Sequence, residues 1–406
     1  MKIDANRLLK HIENLGNVGS TREGGVRRLA LTEEDRDGRD HIVSRMKDLG
    51  LVVQIDQIGN IFGIRTGISD LPPVMTGSHI DTVYNGGKLD GNLGVLAGLE
   101  IVEVLNSFEV KTNRSFIVGV FTNEEGARFQ PDMMGSLVYA GGYDLNTALN
   151  AESSKGEVLG EELNNIGYAG DMICGSIIPH AFIELHIEQG PILEAQEYSI
   201  GAVENLQGIS WTEITITGEA NHAGTTPMGM RKDAGTCAGE IISFVHQLAN
   251  DFGEPQVATV GVVELKPNII NVVPGGARVT VDLRNPDNSI LKDAERNLEE
   301  FLAEVSLKHT VEINSKRLVR FDPVKFDARI VELIEHNAAK LELKCRRMTS
   351  GAGHDAQMMS RICPTAMIFV PSINGISHNP AESTDESDLV AGADVLLRTV
   401  LDLLND

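Results

Sequence analysis

A histidine, His79, stands eleven residues before an aspartate, Asp90, in the run GSHIDTVYNGGKLDGNLG at 77–94. A second acid, Asp81, lies two residues after the histidine, and adjacent glutamates, Glu124 and Glu125, follow in TNEEGARF at 122–129. Two more histidines occupy equally polar, turn-rich settings, His186 in ELHIEQG and His378 in GISHNPAE. Three imidazoles and two or three carboxylates on separated loops make a donor set for two neighbouring divalent cations. Nitrogen and oxygen donors without thiolate suit Zn, Mn, Co or Ni, with carboxylate and water favouring Mn somewhat. Paired ions can share and activate a water. The pattern therefore points to metal-assisted hydrolysis rather than to a binding module.

Taken singly, each of these residues has a plainer reading. Asp90, just before a helix, reads as an N-cap, and Glu124 and Glu125 as a solvated turn. His186 reads as a satisfied core histidine, and His79 as a hydrogen-bonded loop residue. Together they read differently. Two like charges at the mouth of an apolar strand are costly without cations. One glutamate can ligate while the other, beside the activated water, serves as general base. A ligating imidazole binds through one ring nitrogen and donates the other to an orienting group, and the Asp81 carboxylate is placed for that role. Gly86, Gly87 and Gly91 let the backbone around Asp90 fold sharply.

The elements that must position these groups follow a βαβ rhythm. Residues 4–15 and 32–49 have helical periodicity, the second opening at Thr32 with acids in its first turn and closing at Gly50. The stretch 51–64 reads as a hairpin turning at Gly59–Asn60. A strand at 72–80 ends on His79, 91–107 is a helix, and 114–125 is a buried strand carrying the glutamates at its C-terminal end. Polar groups at the C-terminal ends of strands are where open α/β sheets keep their sites. From 208 to about 324 the order becomes β-α-β-β-α-β, a ferredoxin-like unit. The first pattern then resumes with a helix at 325–342, the glycine-rich SGAGHDAQ at 350–357, a strand at 366–372 and a last helix from about 385. The sequence thus reads as an α/β domain, 1–207 and 325–406, interrupted by an inserted domain at 208–324. Residues 150–180 fit no element.

Composition sets the outer bounds. With 406 residues, 42% hydrophobic and 23% charged, the chain has ample core for two domains. A net charge of −23 with no long basic run excludes a nucleic-acid partner. Aromatic content of 4% is thin for a stacking platform. No 18-residue apolar stretch spans a membrane, and the charged N-terminus is no signal peptide. Cys174, Cys237, Cys345 and Cys363 are dispersed, as buried reduced thiols of a cytoplasmic protein would be. The GAGHDA run lacks the spacing of a nucleotide loop, and there is no G-x-S-x-G elbow.

With those positions in hand, the chain resembles the hydantoinase/carbamoylase family of amidases, within the aminoacylase and glutamate-carboxypeptidase-like di-metal hydrolases. The motifs are GSHIDTVYNGGKLDG, TNEEGARF, ELHIEQG, NHAGTTPMGMRKDA, NIINVVPG, SGAGHDAQ and SINGISHNPAE, spread over 77–382. Within the family, HAGTTPM and PSINGISHNPAE are most similar to allantoate amidohydrolases, then to N-carbamoyl-L-amino-acid hydrolases, then to β-ureidopropionases. The resemblance implies a di-metal exopeptidase-like catalytic domain with an inserted dimerisation domain. It implies hydrolysis of a linear ureido acid, allantoate first, with release of ammonia and carbon dioxide; aminoacylase or dipeptidase activity is the more distant reading. It assigns His79, Asp90 and His186 to one metal and Asp90, Glu125 and His378 to the other, with Asp90 bridging and Glu124 as base. It implies substrate contacts from His222, Asn271 and Arg284 on the inserted domain, and from Gln189, Gly353 and His354 on the catalytic one. His222 would also act in catalysis, as a donor to the oxyanion. It implies a homodimer through the inserted domain, in which His222 can reach the other subunit's site.

Overall fold

The computed structural model describes residues 1–406. The chain divides into two compact units, Met1–Glu204 with Phe326–Asp406, and Asn205–Lys325. In chain order the strands are β1 (Val52–Ile55), β2 (Ile61–Arg65), β3 (Val74–His79), β4 (Phe116–Phe121), β5 (Ala181–Ile187), β6 (Ile200–Leu206), β7 (Gly208–Thr217), β8 (Asn221–His222), β9 (Val257–Lys266), β10 (Val272–Val273), β11 (Gly276–Asn285), β12 (Glu312–Phe321), β13 (Val324–Lys325), β14 (Cys345–Ser350) and β15 (Thr365–Val370).

The first unit is built on a large mixed sheet in the order β1-β2-β4-β3-β5-β15-β6, with β14 beside β6. Its centre is parallel, β4 with β3, β3 with β5, and β5 with β15. Every residue of those four strands is buried, as a sheet covered by helices on both faces requires. Helix Asn92–Ser107 packs on β3 and β5, and helix Glu386–Asn405 on β15 and β5. β5 is buried on both faces between β3 and β15. The strand expected over 114–125 is shorter, Phe116–Phe121, so Glu124 and Glu125 stand on the loop beyond it. Residues 150–180, unassigned from sequence, hold a short helix, Leu159–Asn165, and reach β1 through Met172, whose N–H donates to the Ile55 carbonyl at 3.1 Å.

The second unit is an antiparallel sheet in the order β12-β7-β11-β9 under helices Ala234–Phe252 and Asn288–His309. The fourth strand lies beside the first and the third separates first from second, the ferredoxin-like arrangement. Strict alternation along β11 turns Ala277, Val279, Val281 and Leu283 into the core, against Ile241 and Val245 of one helix and Leu298 and Leu302 of the other. Both helices start on capping aspartates: Asp233 accepts the N–H groups of Gly235 and Thr236, Asp287 those of Ser289 and Ile290. All four cysteines are free. Cys237 and Cys363 are buried, whereas Cys174 and Cys345, expected inside, are half-buried because they sit on an irregular segment and an outer strand. No helix is long and apolar enough to cross a membrane.

Candidate metal centre

The C-terminal ends of the parallel strands bring the site together. His79 is the last residue of β3, His186 the penultimate residue of β5, and Glu124 and Glu125 follow β4. Asp90 sits just ahead of helix Asn92–Ser107, and His378 lies on the loop after β15, with φ of +53°. The ligand atoms of His79, Asp90 and His186 lie within 4.8 Å of one another, and so do those of Asp90, Glu125 and His378.

Asp90 is common to both triads and divides its oxygens between them. Oδ1 is 3.6 Å from His79 Nε2 and 3.2 Å from His186 Nε2. Oδ2 is 3.4 Å from His378 Nε2, which is also 3.4 Å from a Glu125 oxygen. The tautomers follow from the outer contacts. His79 Nδ1 donates to the Asp81 main-chain carbonyl at 2.9 Å, and His186 Nδ1 to the Ile187 carbonyl at 2.9 Å. This directs the Nε2 of each ring at Asp90, the orientation a metal ligand needs. The Asp81 carboxylate does not orient His79, contrary to the sequence-based expectation; its nearer oxygen is 3.9 Å away. It accepts instead the N–H groups of Glu124 at 3.2 Å and Glu125 at 3.3 Å. The turn after His79 presents the carbonyl to the ring and leaves the carboxylate to tie down the glutamate loop.

Acidic groups and imidazoles are crowded together here. Burial pushes the Glu124 carboxyl well above its usual range; His79 opposes this, while Asp355, Glu125 and Asp90 add to it. Glu125 is raised to about 8, by burial and then by Asp90. Burial also works to raise Asp90, but hydrogen bonds from His186, His378 and His79 outweigh it and hold it well below the ordinary range. His378, hydrogen-bonded to Asp90, is raised to about 9. A donor set of three imidazoles and the neighbouring carboxylates, buried around His79, Asp90 and His186 and open to solvent at His378, fits divalent metal ions in its chemistry.

The other sites expected in the catalytic unit lie around this centre. Gln189, at φ +58°, donates from Nε2 to Asp90 Oδ2 at 2.8 Å. The buried His354 ring is 4.5 Å from that of His186, and burial followed by the His186 charge lowers its pKa well below the usual value. Gly353 precedes it on a tight loop, with a Met133 methyl 2.9 Å from where a Cβ would stand. Sequence reasoning missed Glu184 and Glu382. Glu184 accepts from Ser78 Oγ at 2.7 Å and the Ala356 N–H at 2.8 Å, tying β3 to the GHDA loop. It lies two residues before His186 on the same strand face, a period-two signal that could have marked it.

In the inserted unit, β8 and β10 pair His222 with Val272, and the Ala223 N–H donates to the Asn271 carbonyl at 3.0 Å. His222 and Asn271 are therefore neighbours. His222 Nδ1 accepts the N–H groups of Gly224 at 3.0 Å and Thr225 at 3.2 Å, so the neutral ring carries its proton on Nε2 and offers it outward as a donor. Arg284, near the end of β11, is gripped by the Asp282 carboxylate, Nη2 to Oδ2 being 2.9 Å.

Comparison with known proteins adds the following. The family model "Peptidase family M20/M25/M40" matches residues 75–402. An N-carbamoyl-L-amino-acid amidohydrolase of Rhizobium meliloti is 40% identical over 99% of this chain and 97% of its own. The allantoate amidohydrolase of Escherichia coli is 36% identical over 94% of each. A crystal structure of a hydantoinase/carbamoylase family amidase from Burkholderia multivorans, 42% identical, superposes with a TM-score of 0.96 over 100% of this chain and 99% of that one.

Proposed function

Because the chain belongs to the M20/M25/M40 peptidase family, whose members are metal-dependent hydrolases, we propose that it hydrolyses the carbon–nitrogen bond of a linear ureido acid. The observation that carries this reading is Asp90, whose two oxygens each serve one triad. His79, Asp90 and His186 would hold one divalent ion, and Asp90, Glu125 and His378 a second. Zn or Mn is the first choice, Co or Ni the next. When bound, such a pair lowers the pKa of a water from about 15.7 toward roughly 7 and polarises a carbonyl oxygen.

The chain's own groups do the rest. A ureido carbonyl is a poor electrophile because both flanking nitrogens donate into it. Glu124, with a carboxylate oxygen 3.3 Å from His79 Nε2, is placed to take the proton of the attacking water and pass it to the departing nitrogen. His222 presents Nε2–H as a donor for the oxyanion of the tetrahedral adduct; one such donor is worth about 3–4 kcal/mol. Arg284, its plane fixed by Asp282, supplies a fork for the substrate carboxylate. Asn271, Gln189, Gly353 and His354 complete the substrate contacts. We place the protein in the cytoplasm, where its free cysteines stay reduced, and infer a homodimer through Asn205–Lys325.

Allantoate and N-carbamoyl-L-amino acids both carry the ureido carbonyl and a carboxylate, and the named relatives divide between them. The decisive experiment strips the protein of metal, reloads it separately with Mn and Zn, and follows product release. The panel is allantoate, N-carbamoyl-L-amino acids, N-acetyl amino acids and dipeptides. Turnover of a ureido acid is expected. Turnover confined to N-acetyl amino acids or dipeptides would move the reading to an aminoacylase or dipeptidase, and ligand binding without turnover would end the enzymatic reading.

A further inference from the structure

Glu382 is buried, 8% exposed, on the turn after His378, and nothing in the chemistry above uses it. One of its oxygens accepts the N–H groups of Leu89 and Asp90, each at 3.1 Å. The other accepts Ser377 Oγ–H at 2.9 Å. Ser377 precedes His378, and its Oγ is also 3.3 Å from Asp90 Oδ2. A single carboxylate thus joins two segments almost three hundred residues apart in sequence, one carrying Asp90 and the other His378. Room for it is built in: a Cβ on Gly87 would stand 2.2 Å from Glu382 Oε1, so that position admits only glycine. The turn itself is closed by the Glu382 N–H donating to the Asn379 carbonyl at 3.0 Å.

We propose that Glu382 is a positioning residue for the second ion of the pair. Of that ion's three ligands, Asp90 is held by Glu382 through its own N–H, and His378 through the side chain of Ser377 just before it. The first ion draws His79 and His186 from β3 and β5 of the sheet and shares only Asp90. Loss of the Glu382 carboxylate should therefore fall mainly on the second ion. Groups that orient metal ligands typically contribute about 10–100-fold in affinity.

This inference rests on the two-ion reading, and the experiment separates the two. Full-length wild type, Glu382→Gln and Ser377→Ala are stripped and titrated with Zn in a metal buffer. Stoichiometry is read by elemental analysis, and folding by circular dichroism and thermal unfolding. Wild type should take two ions. In Glu382→Gln the second should bind about 10–100-fold more weakly with the first unchanged, and Ser377→Ala, which spares the hydrogen bonds from the Leu89 and Asp90 N–H groups to Glu382, should show a smaller loss at the same ion. A wild type that takes one ion overturns the two-ion reading itself. Two ions bound with wild-type affinity in both variants overturn the role of Glu382, as does equal weakening of both ions alongside a lowered Tm, which marks a purely structural residue.

Discussion

Adjacent glutamates beside a cation pair can divide into ligand and base, and their surroundings assign the roles. Glu125 faces His378 at 3.4 Å and accepts the Val83 N–H at 3.2 Å, whereas Glu124 faces the His79 side. Glu124→Gln keeps the shape and removes the basic oxygen. We expect kcat to fall by about 10²–10⁴ with both ions retained by elemental analysis; loss of an ion in step with activity would make Glu124 a ligand instead. The residues of this centre were legible because their types are rare together and because each candidate lies in a short polar run of its own. Asp81 was misjudged for a reason of the same scale. A sequence shows that an aspartate follows a histidine by two, but not whether its carbonyl or its carboxylate meets the ring. Glu382 was invisible because its partners, Leu89 and Asp90, are separated from it by most of the chain.

At the scale of elements, the strand ends carry the site and the turn leading into helix Asn92–Ser107 is its tightest piece. Gly91 has φ of +66°, and a Cβ there would stand 2.5 Å from His79 Nε2 and Cε1. Its N–H also donates to His186 Nε2 at 3.2 Å. Gly91→Ala should therefore cost about 1–3 kcal/mol of backbone strain and displace His79, weakening the first ion more than the second. Wild-type metal affinity in that variant, measured by the same titration, would contradict the close approach. Helices and parallel strands were readable because long apolar runs and caps announce them: Thr32 does cap Glu33–Asp48. β14 (CRRMTS) was not, because its residues are mostly polar and it is a strand only through pairing with β6. The short helices Leu145–Leu149, capped by Asp144, and Leu159–Asn165, without a side-chain cap, are too brief for periodicity to mark.

At the scale of the whole molecule, three helices remote in sequence meet around a half-buried group of bases, and this sets a pH response distinct from the site. His11 on helix Ala5–Gly16 lies near His41 and Arg45 of helix Glu33–Asp48, and Arg45 pairs with Glu103 of helix Asn92–Ser107. Burial, then the Arg45 charge, lowers His11 from 6.5 to about 4, with Glu103 opposing and His41 and Lys10 adding. Burial followed by Arg45 and Arg28 lowers His41 as well. Neither His11 Nδ1 nor His41 Nε2 has a hydrogen-bond partner. The sign follows from linkage. As pH drops below 6.5 the unfolded chain binds a proton at His11 that the folded chain refuses, so stability declines between 6.5 and about 4 and this contribution is flat below that. His11→Gln should remove part of the slope. Comparing urea unfolding of variant and wild type across that window cancels every group common to both. The wild-type advantage should shrink steadily from pH 7 toward 4; parallel stability curves would mean that the imidazole accepts its proton in the fold as readily as it does unfolded.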